Sequence, residues 1–398
     1  MTERGCPNGG GFCQPMRPGS GSVRLRRRKC CRWDPRAPTP WDHGGVVRRD
    51  NARGLAHSRR FALCAAVLIV VAGCRSPSSN QSLQRFQFSS PHMGTLFRVT
   101  LYACDETTAE QAAQAAFRRV AALEDIMSDY QADSELMRLC EQPVGQPVRV
   151  SAELFDVLQQ AQKYSELSDG AFDVTVGPYV RLWRFARKKK VLPTSEELAA
   201  ARAAVGWRNL RLDRQARTAT LLVPNMRLDL GGIAKGYAAD EALKLLKGRG
   251  LDRALVAASG DIAVGNPPPG QSGWKVAIAG LEARTNEFAR TVLLRNAGIS
   301  TSGDIEQAIE IDGVRYSHIV SPATGLGLTN RIQVTVIAPN ATTTDALATG
   351  VSVLGALRGL ALIDSLPHTA ALILTKEDAE TRSFASRRFS AITTRGVP

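Results

Sequence analysis

The chain has 398 residues, of which 44% are hydrophobic, so it can form one large or two medium domains with a full core. Its formal net charge of +14 is concentrated at one end, because residues 1–73 carry 14 of the 51 lysines and arginines but only 4 of the 37 acidic residues. The remainder is close to neutral at +4, which gives no reason to expect a nucleic-acid-binding protein.

An apolar run at residues 61–72 follows a pair of arginines and ends in small residues, a pattern typical of a secretory signal. The run is too short to span a bilayer. The sequence Val-Ala-Gly-Cys that ends at Cys74 resembles a bacterial lipobox, in which the cysteine is lipidated and becomes the new N-terminus. The alternative is a buried hydrophobic helix. We therefore predict a lipoprotein signal peptide at residues 58–73, which places the protein on the periplasmic side of the bacterial inner membrane.

The other parts of the predicted organisation follow from this signal. A polar tether is predicted at residues 74–87 and a folded domain at residues 88–390. Residues 1–57 have no hydrophobic period, and we expect them to be disordered, or absent from the product because translation starts further downstream.

Three of the eight cysteines lie beyond the predicted cleavage point, namely Cys74, Cys104 and Cys140. If Cys74 is lipidated, Cys104 and Cys140 either form one disulfide in an oxidising compartment or remain free thiols.

The first half of the domain combines strand and helix patterns. Residues 86–103 predict a strand with a break, and apolar residues at helical spacing predict helices over 108–127 and 151–170. Ser151 is the predicted N-cap of the second of these helices, and Gly170 lies past its end.

The middle of the domain contains a capping box and a basic run. Thr194 and Glu197 are spaced as a capping box for a short helix, whereas residues 187–190 are predicted to be a solvated basic loop. Short strands are then predicted over 209–230.

The second half is rich in strand patterns, and Asp312 with Gly313 predicts a hairpin turn between two of them. A helix is predicted to begin near Asp345, with three preceding threonines as candidate N-caps. Strands and helices come in blocks and do not alternate strictly, which predicts an α+β fold with mixed, largely antiparallel sheets and flanking helices.

The sequence LDLGGIAKGYAADEAL at residues 228–243 predicts a strand that turns at two glycines into a helix. Gly231 and Gly232 allow a sharp turn and a close approach to a ligand, and free N–H groups at a helix start favour an anion. Lys235 is expected to add a mobile positive charge. The alternative is an ordinary turn with a surface lysine, since the spacing fits neither common nucleotide-binding motif.

Two further patterns carry candidate chemistry. Asp345 and Thr349 are four residues apart on one helix face, a hard oxygen pair that suits Mg²⁺, although ordinary capping would also explain them. His318 follows a hairpin strand and could accept a proton near neutral pH, or could be a structural histidine.

Together these features suit a diphosphate-bearing nucleotide. We expect residues 298–304 to form a flexible loop beside it. Tyr130 and Phe172 are candidates to stack on its rings, although the aromatic segment that contains Phe172 is better explained as core.

Eight motifs in order make the resemblance to one family specific: MGT, SxYxxxSEL, GAFDxTVGP, DLGGIAKGYAAD, SGD, TSGD, HIxxPxTG and ATxxDALAT. Over nearly all of residues 88–390 the chain resembles the ApbE family of FAD:protein FMN transferases. The resemblance implies a lipid-anchored periplasmic enzyme that uses Mg²⁺ to cleave FAD, attaches FMN to a Thr or Ser hydroxyl of an acceptor flavoprotein and releases AMP. The alternatives are an FAD pyrophosphatase that yields FMN and AMP, or an FAD-binding lipoprotein without turnover.

The resemblance also implies roles for individual residues. It implies that Asp345 and Thr349, with the backbone carbonyl of Gly232, bind the metal and that His318 is the catalytic base, with Asp345 also essential to catalysis. It further implies contacts with FAD for Met93, Tyr130, Ala171, Phe172, Asp173, Asp229, Lys235 and Ile319.

This chain departs from the family pattern at several positions. Ser321 and Ala323 replace an acid and an arginine of the HIIDPRTG motif, and we expect this change to alter acceptor docking or the orientation of His318. Cys140 stands where an asparagine is frequent, and Arg184 replaces the glycine of an LWGF motif.

Overall fold

The computed structural model describes residues 82–281, 288–303, 308–377 and 380–391. The predicted N-terminal extension, the signal peptide, Cys74 and most of the tether therefore lie outside the described residues. The chain divides into Met1–Arg75 and Ser76–Pro398, and all the described residues belong to the second unit. The first strand among the described residues begins at Gln84, four residues before the predicted start of the folded domain.

The helices within the described residues connect and cover several sheets. They are α1 (Glu106–Met127), α2 (Glu135–Cys140), α3 (Ala152–Leu167), α4 (Gly177–Lys189), α5 (Ser195–Ala203), α6 (Ala234–Gly248) and α7 (Ala341–Ser365).

The strands of the main sheet pair antiparallel with each neighbour. They are β1 (Gln84–His92), β2 (Thr95–Ala103), β6 (Ala254–Ala258), β7 (Asp261–Val264), β10 (Ala297–Gly303), β13 (Arg331–Ala338), β14 (Ala370–Glu377) and β15 (Glu380–Ala385), in this spatial order.

Shorter strands form three small antiparallel sheets. These strands are β3 (Val148–Arg149), β4 (Leu210–Asp213), β5 (Thr218–Leu221), β8 (Trp274–Ala279), β9 (Phe288–Leu294), β11 (Ile309–Ile311) and β12 (Val314–Tyr316). The predicted α+β fold with largely antiparallel sheets is therefore confirmed.

The main core lies between one face of the large sheet and the helices α1, α3, α6 and α7. A second apolar cluster forms where the β8–β9 hairpin contributes Trp274 and Val292 beside Ile299 and Leu372 of the large sheet. Because the central strands are covered by apolar groups on both sides, β13 is buried almost throughout. Among the described residues α7 is the one helix long and apolar enough to cross a membrane, yet its first half is a core element.

Several local predictions are confirmed. Ser151 caps α3 by accepting a hydrogen bond from the backbone N–H of Leu154 at 3.1 Å. Thr194 and Glu197 form both hydrogen bonds of a capping box at the start of α5. Asp312 and Gly313 adopt positive φ angles of 51° and 74° in the turn between β11 and β12, as a tight hairpin requires.

Three other local predictions are wrong. The basic run at residues 187–190 is exposed as predicted but is not a loop, because residues 187–189 form the last turn of α4 and Lys190 is its C-cap, where positive charge is favourable. Residues 298–303 of the predicted flexible loop belong to β10 and hydrogen-bond β7 and β13 on either side. No strand is assigned over residues 226–230, although Leu228 and Leu230 are buried.

Candidate active site

The turn into α6 is held by side chains and not by glycine dihedral angles. Neither Gly231 nor Gly232 has a positive φ. The backbone N–H of Gly231 donates to Oδ1 of Asp229 at 2.7 Å. The predicted sharp turn is present, since the N–H of Ile233 donates to the carbonyl of Leu230 at 3.0 Å, but it does not use a positive φ at either glycine.

Gly232 is needed because α7 lies close to it. A Cβ atom at this position would be 3.0 Å from Oγ1 of Thr349 and 3.2 Å from the ring of Phe172. The structure thus brings Gly232 together with Thr349, as a shared metal site would require.

The start of α7 differs from the prediction. The helix begins at Ala341 and its N-cap is Asn340, whose side chain accepts from the N–H of Thr343 at 2.8 Å. Asp240 of α6 accepts from the N–H groups of Ala341 and Thr342 at 2.9 and 2.7 Å. Two of the first N–H groups of α7, which have no partner within the helix, are therefore satisfied by a side chain of α6. This contact fixes α7 relative to α6.

Asp345 lies one turn into α7 and is 2% exposed. Its Oδ2 accepts from the backbone N–H of Gly236 at 3.0 Å, and its Oδ1 lies 3.8 Å from Nζ of Lys235. Burial, followed by the charge of Asp261, raises the pKa of Asp345 to about 7. A cation beside this carboxylate would offset both effects.

Lys235 is not the mobile charge that the sequence predicted. Its ammonium group forms an ion pair with Asp261, a buried residue at the start of β7, and lies near Asp345. Burial alone would lower the pKa of Lys235, but the two carboxylates more than offset this and raise it. Lys235 therefore stays protonated between Asp261 and Asp345.

The start of α6 also offers less free N–H than predicted. The N–H groups of Ile233 and Ala234 donate to the carbonyl of Leu230, and those of Gly231 and Gly236 donate to aspartate side chains. The protein's own carboxylates thus occupy part of the place predicted for a bound anion.

Tyr130 and Asp229 meet through a third residue, Arg184 of α4. The guanidinium carbon of Arg184 lies 3.9 Å from the ring centroid of Tyr130, and Nη2 of Arg184 is 3.6 Å from Oδ2 of Asp229. The same guanidinium forms an ion pair with Asp129. Burial, followed by the charge of Asp129, raises the pKa of Asp229 to about 6.

The segment at residues 171–173 lies mostly inside the protein. Phe172 is 3% exposed and packs edge-on against Tyr164, in agreement with its core interpretation. The carboxylate of Asp173 accepts from the N–H and hydroxyl of Thr175 at 2.7 Å and from the N–H of Trp207 at 3.0 Å. These bonds satisfy Asp173 within the fold, so its side chain has a structural role.

Three more candidates lie on loops. Met93 occupies the β1–β2 turn with a φ of 49° and is partly buried against the main core. Ala171 is half-buried and follows α3. Ile319 is 7% exposed, and its N–H donates to Oγ of Ser317 at 3.1 Å.

His318 is exposed in the segment that follows β12. This segment folds back on itself, since the N–H of Ser317 donates to the carbonyl of Leu328 at 2.7 Å. Trp183 of α4 donates its ring N–H to the carbonyl of Gly325 at 2.7 Å. The helix that carries Arg184 therefore also supports the segment that carries His318.

The chain matches the family model described as ApbE family over residues 93–373, more than half of its length. The chain belongs to the ApbE family. A relative from Vibrio cholerae named FAD:protein FMN transferase is 32% identical over 83% of this chain and 98% of its own length. A relative of the same name from Escherichia coli strain K12 is 30% identical over 83% of this chain and 96% of its own length.

Solved ApbE structures have the same fold. The flavin transferase ApbE from Vibrio cholerae is 32% identical, with a TM-score of 0.70 over 78% of this chain and 99% of that chain. The apo form of the Pseudomonas stutzeri flavinyl transferase ApbE is 30% identical, also with a TM-score of 0.70, over 78% of this chain and 97% of that chain.

The residues at the α6–α7 contact fit the magnesium ion expected from the ApbE resemblance. The Thr349 hydroxyl makes no hydrogen bond to another described residue and lies beside Gly232. Within the described residues no group of three or more His, Cys, Asp or Glu side chains is placed to hold a metal. One carboxylate with a hydroxyl and a carbonyl is a sparse set of hard donors, which suits Mg²⁺ because it keeps water and phosphate ligands.

The residues that depart from the ApbE pattern have defined surroundings. Cys104 and Cys140 are free thiols, so the disulfide alternative is not realised. The Sγ atom of Cys140 accepts from the N–H of Leu228 at 3.3 Å, and burial raises the pKa of this thiol to about 11. Ser321 accepts a backbone hydrogen bond from Gly325 at 2.8 Å, while Ala323 is exposed.

Proposed function

We propose that the protein is an FAD:protein FMN transferase that cleaves FAD and attaches FMN to a Thr or Ser hydroxyl of an acceptor flavoprotein, with release of AMP. The observation that carries this proposal is the group of buried Asp345 with half-buried Lys235 and Thr349 at the α6–α7 contact, in a member of a family whose curated relatives bear that name. Phosphoryl transfer depends mainly on positioning and on neutralising charge, and this group can do both.

Asp345, Thr349 and the backbone carbonyl of Gly232 would hold Mg²⁺, which when bound would neutralise charge on the diphosphate of FAD. Lys235 keeps a positive charge beside Asp345, because the carboxylates of Asp261 and Asp345 stabilise its protonated form. Asp229 and Tyr130 would contribute to binding of the nucleotide beside this centre.

His318 would accept the proton of the attacking hydroxyl. Its exposed position suits this role, because the hydroxyl belongs to another protein and must approach from solvent. The neighbouring Ile319 is buried and fixes the backbone from which His318 extends.

The test incubates the protein with FAD, Mg²⁺ and an acceptor flavoprotein from the same source. We expect a covalently fluorescent acceptor and one AMP released for each FMN attached. An Asp345→Asn variant should lose transfer yet keep its melting temperature, since asparagine can still accept from the N–H of Gly236.

Other products would contradict the proposal. Release of FMN and AMP at the same rate with and without acceptor would indicate a pyrophosphatase. Tight retention of FAD without AMP release would indicate a binding protein. Full transfer by the Asp345→Asn variant would refute the metal assignment.

We also propose that the protein is anchored by lipid on Cys74 at the periplasmic side of the inner membrane. The charged start, apolar run and lipobox-like end of residues 58–74 support this proposal. The intact mass of membrane-extracted protein should correspond to a chain that begins at a lipidated Cys74. A Cys74→Ser variant should lose the lipid mass, and an unmodified Cys74 in the wild-type protein would refute the anchor.

A further inference from the structure

Arg184 contacts Tyr130, Asp129 and Asp229, and the proposed function gives it no role. Its guanidinium lies 3.9 Å from the centroid of the Tyr130 ring, within the range of a cation–π interaction. Asp129 and Asp229 both form ion pairs with the same group. The guanidinium is therefore anchored by two carboxylates while it lies against the ring.

Tyr130 remains 79% exposed although Arg184 lies against one face of its ring. Its backbone is held in place, because the N–H groups of Tyr130 and Gln131 donate to Oγ of Ser128 at 3.2 Å. Within the described residues Arg184 is the one side chain with a ring interaction on Tyr130. The tyrosine thus combines a fixed backbone, one ring face bound by a cation and a large exposed surface.

We propose that Arg184 is a positioning residue for nucleotide binding, which holds the Tyr130 ring so that its free face stacks on a planar ring system of FAD. This inference rests on the proposed function for the identity of the ligand. The physical reason is that a surface tyrosine loses side-chain freedom when a ligand stacks on it, which has a cost in binding free energy. Arg184 orders the ring before the ligand arrives and so removes part of that cost.

The two carboxylates give Arg184 a second effect on the same ligand. Without the guanidinium, Asp129 and Asp229 would leave uncompensated negative charge close to a site for an anionic diphosphate. Arg184 therefore favours binding both by fixing the ring and by offsetting this charge. A lysine at position 184 would retain the charge but not the planar stack.

The experiment measures the Kd for FAD by quenching of flavin fluorescence in the full chain, with EDTA and without acceptor, so that binding is separate from turnover. Arg184→Met should raise the Kd by about 2- to 10-fold, because the Tyr130 ring must then be ordered when FAD binds and the charge of Asp129 and Asp229 is no longer offset. Arg184→Lys should give a smaller increase. Arg187→Met removes the same charge from an exposed position on α4 and should leave the Kd unchanged.

A double-mutant cycle separates positioning from a general structural role. In a Tyr130→Ala background, Arg184→Met should raise the Kd by a clearly smaller factor than in the wild-type background, because only the effect on the charge of Asp129 and Asp229 then remains. Melting temperatures of all the variants show whether a loss of binding reflects unfolding.

The outcomes are distinct. An unchanged Kd in Arg184→Met, or the same increase with and without Tyr130, would overturn the inference. Tight FAD binding that follows the expected cycle, in a protein that transfers no FMN, would support the inference while refuting the proposed function. Absence of FAD binding by the wild-type protein both with EDTA and with Mg²⁺ would refute both.

Discussion

The hydroxyl of Thr349 and the ring of Phe172 would lie only 3.0 and 3.2 Å from a Cβ atom on Gly232. Thr349 is half-buried, and its hydroxyl has no hydrogen-bond partner among the described residues, so the fold does not depend on that group. A residue of this kind can be changed to test ligand binding with little effect on stability.

We therefore predict that Thr349→Val raises the Mg²⁺ concentration needed for half-maximal FAD binding by at least about 10-fold. The free energy of unfolding should change by less than about 1 kcal/mol. The measurement is a Mg²⁺ titration of flavin fluorescence together with denaturant unfolding. Thr349→Ser retains the hydroxyl and should behave like the wild type. An unaltered Mg²⁺ titration in Thr349→Val would remove this residue from the metal site.

Asp229 gives a prediction about stability and pH. Its pKa is raised from 3.8 to about 6 in the folded protein, so the native state retains a proton that the unfolded chain has already lost. Stability from this group is thus present below pH 4 and is lost as the pH rises through about 6, by about 3 kcal/mol at most.

Asp229→Asn should therefore be more stable than the wild type at pH 7.5 by about 1–3 kcal/mol, and the difference should disappear near pH 4. Urea unfolding at both pH values measures this effect. Asp133→Asn, a change at an exposed aspartate in the neighbouring loop, is the control and should follow the wild-type pH profile. Lower stability of Asp229→Asn at pH 7.5 would show that the charged carboxylate stabilises the native state.

At the scale of elements, the site depends on how closely α6 approaches α7. A Cβ atom on Gly236 would lie 2.7 Å from the carbonyl carbon of Ala341 and 2.9 Å from Cβ of Asp345. Both neighbours belong to the first turns of a buried helix and cannot move independently. Glycine is therefore required at position 236 because two helices meet there, and not because of its φ and ψ angles.

Gly236→Ala should destabilise the protein by about 3 kcal/mol or more, because overpacking must push the helices apart. Denaturant unfolding measures the loss. The same substitution at Gly248, which has nothing within 4 Å at the far end of α6, should instead stabilise by about 0.5–1 kcal/mol. Equal effects at the two positions would contradict the argument from packing.

Elements whose ends are set by neighbouring residues could be predicted from the sequence. The caps of α3 and α5 involve partners three residues away, so the pattern alone identified them. The start of α7 was placed too late because Asn340 and the distant Asp240 satisfy its first N–H groups. The contact between Asp240 and the start of α7 joins residues far apart in the sequence, so no local spacing predicts it.

At the scale of the whole molecule, contacts between residues close in sequence could be predicted in the site, whereas contacts between distant residues could not. Asp345 and Thr349 share one helix face, so their proximity follows from helical periodicity. Asp261 is the aspartate of the SGD motif, yet its ion pair with Lys235 depends on β7 lying beside α6 in the folded protein. Arg184 could be noticed as a departure from the ApbE pattern, but its position over Tyr130 could not be derived from it.

The order of strands in the large sheet has a consequence for folding kinetics. Strand β2 pairs with β6, so Phe97 lies opposite Ala258, and β10 pairs with β13 immediately before α7. Contacts between such distant parts of the chain require large loops to close, which makes folding slow compared with that of helical bundles. The site draws residues from both sides of these pairings, so we expect a partly synthesised chain to bind FAD only after α7 has emerged from the ribosome.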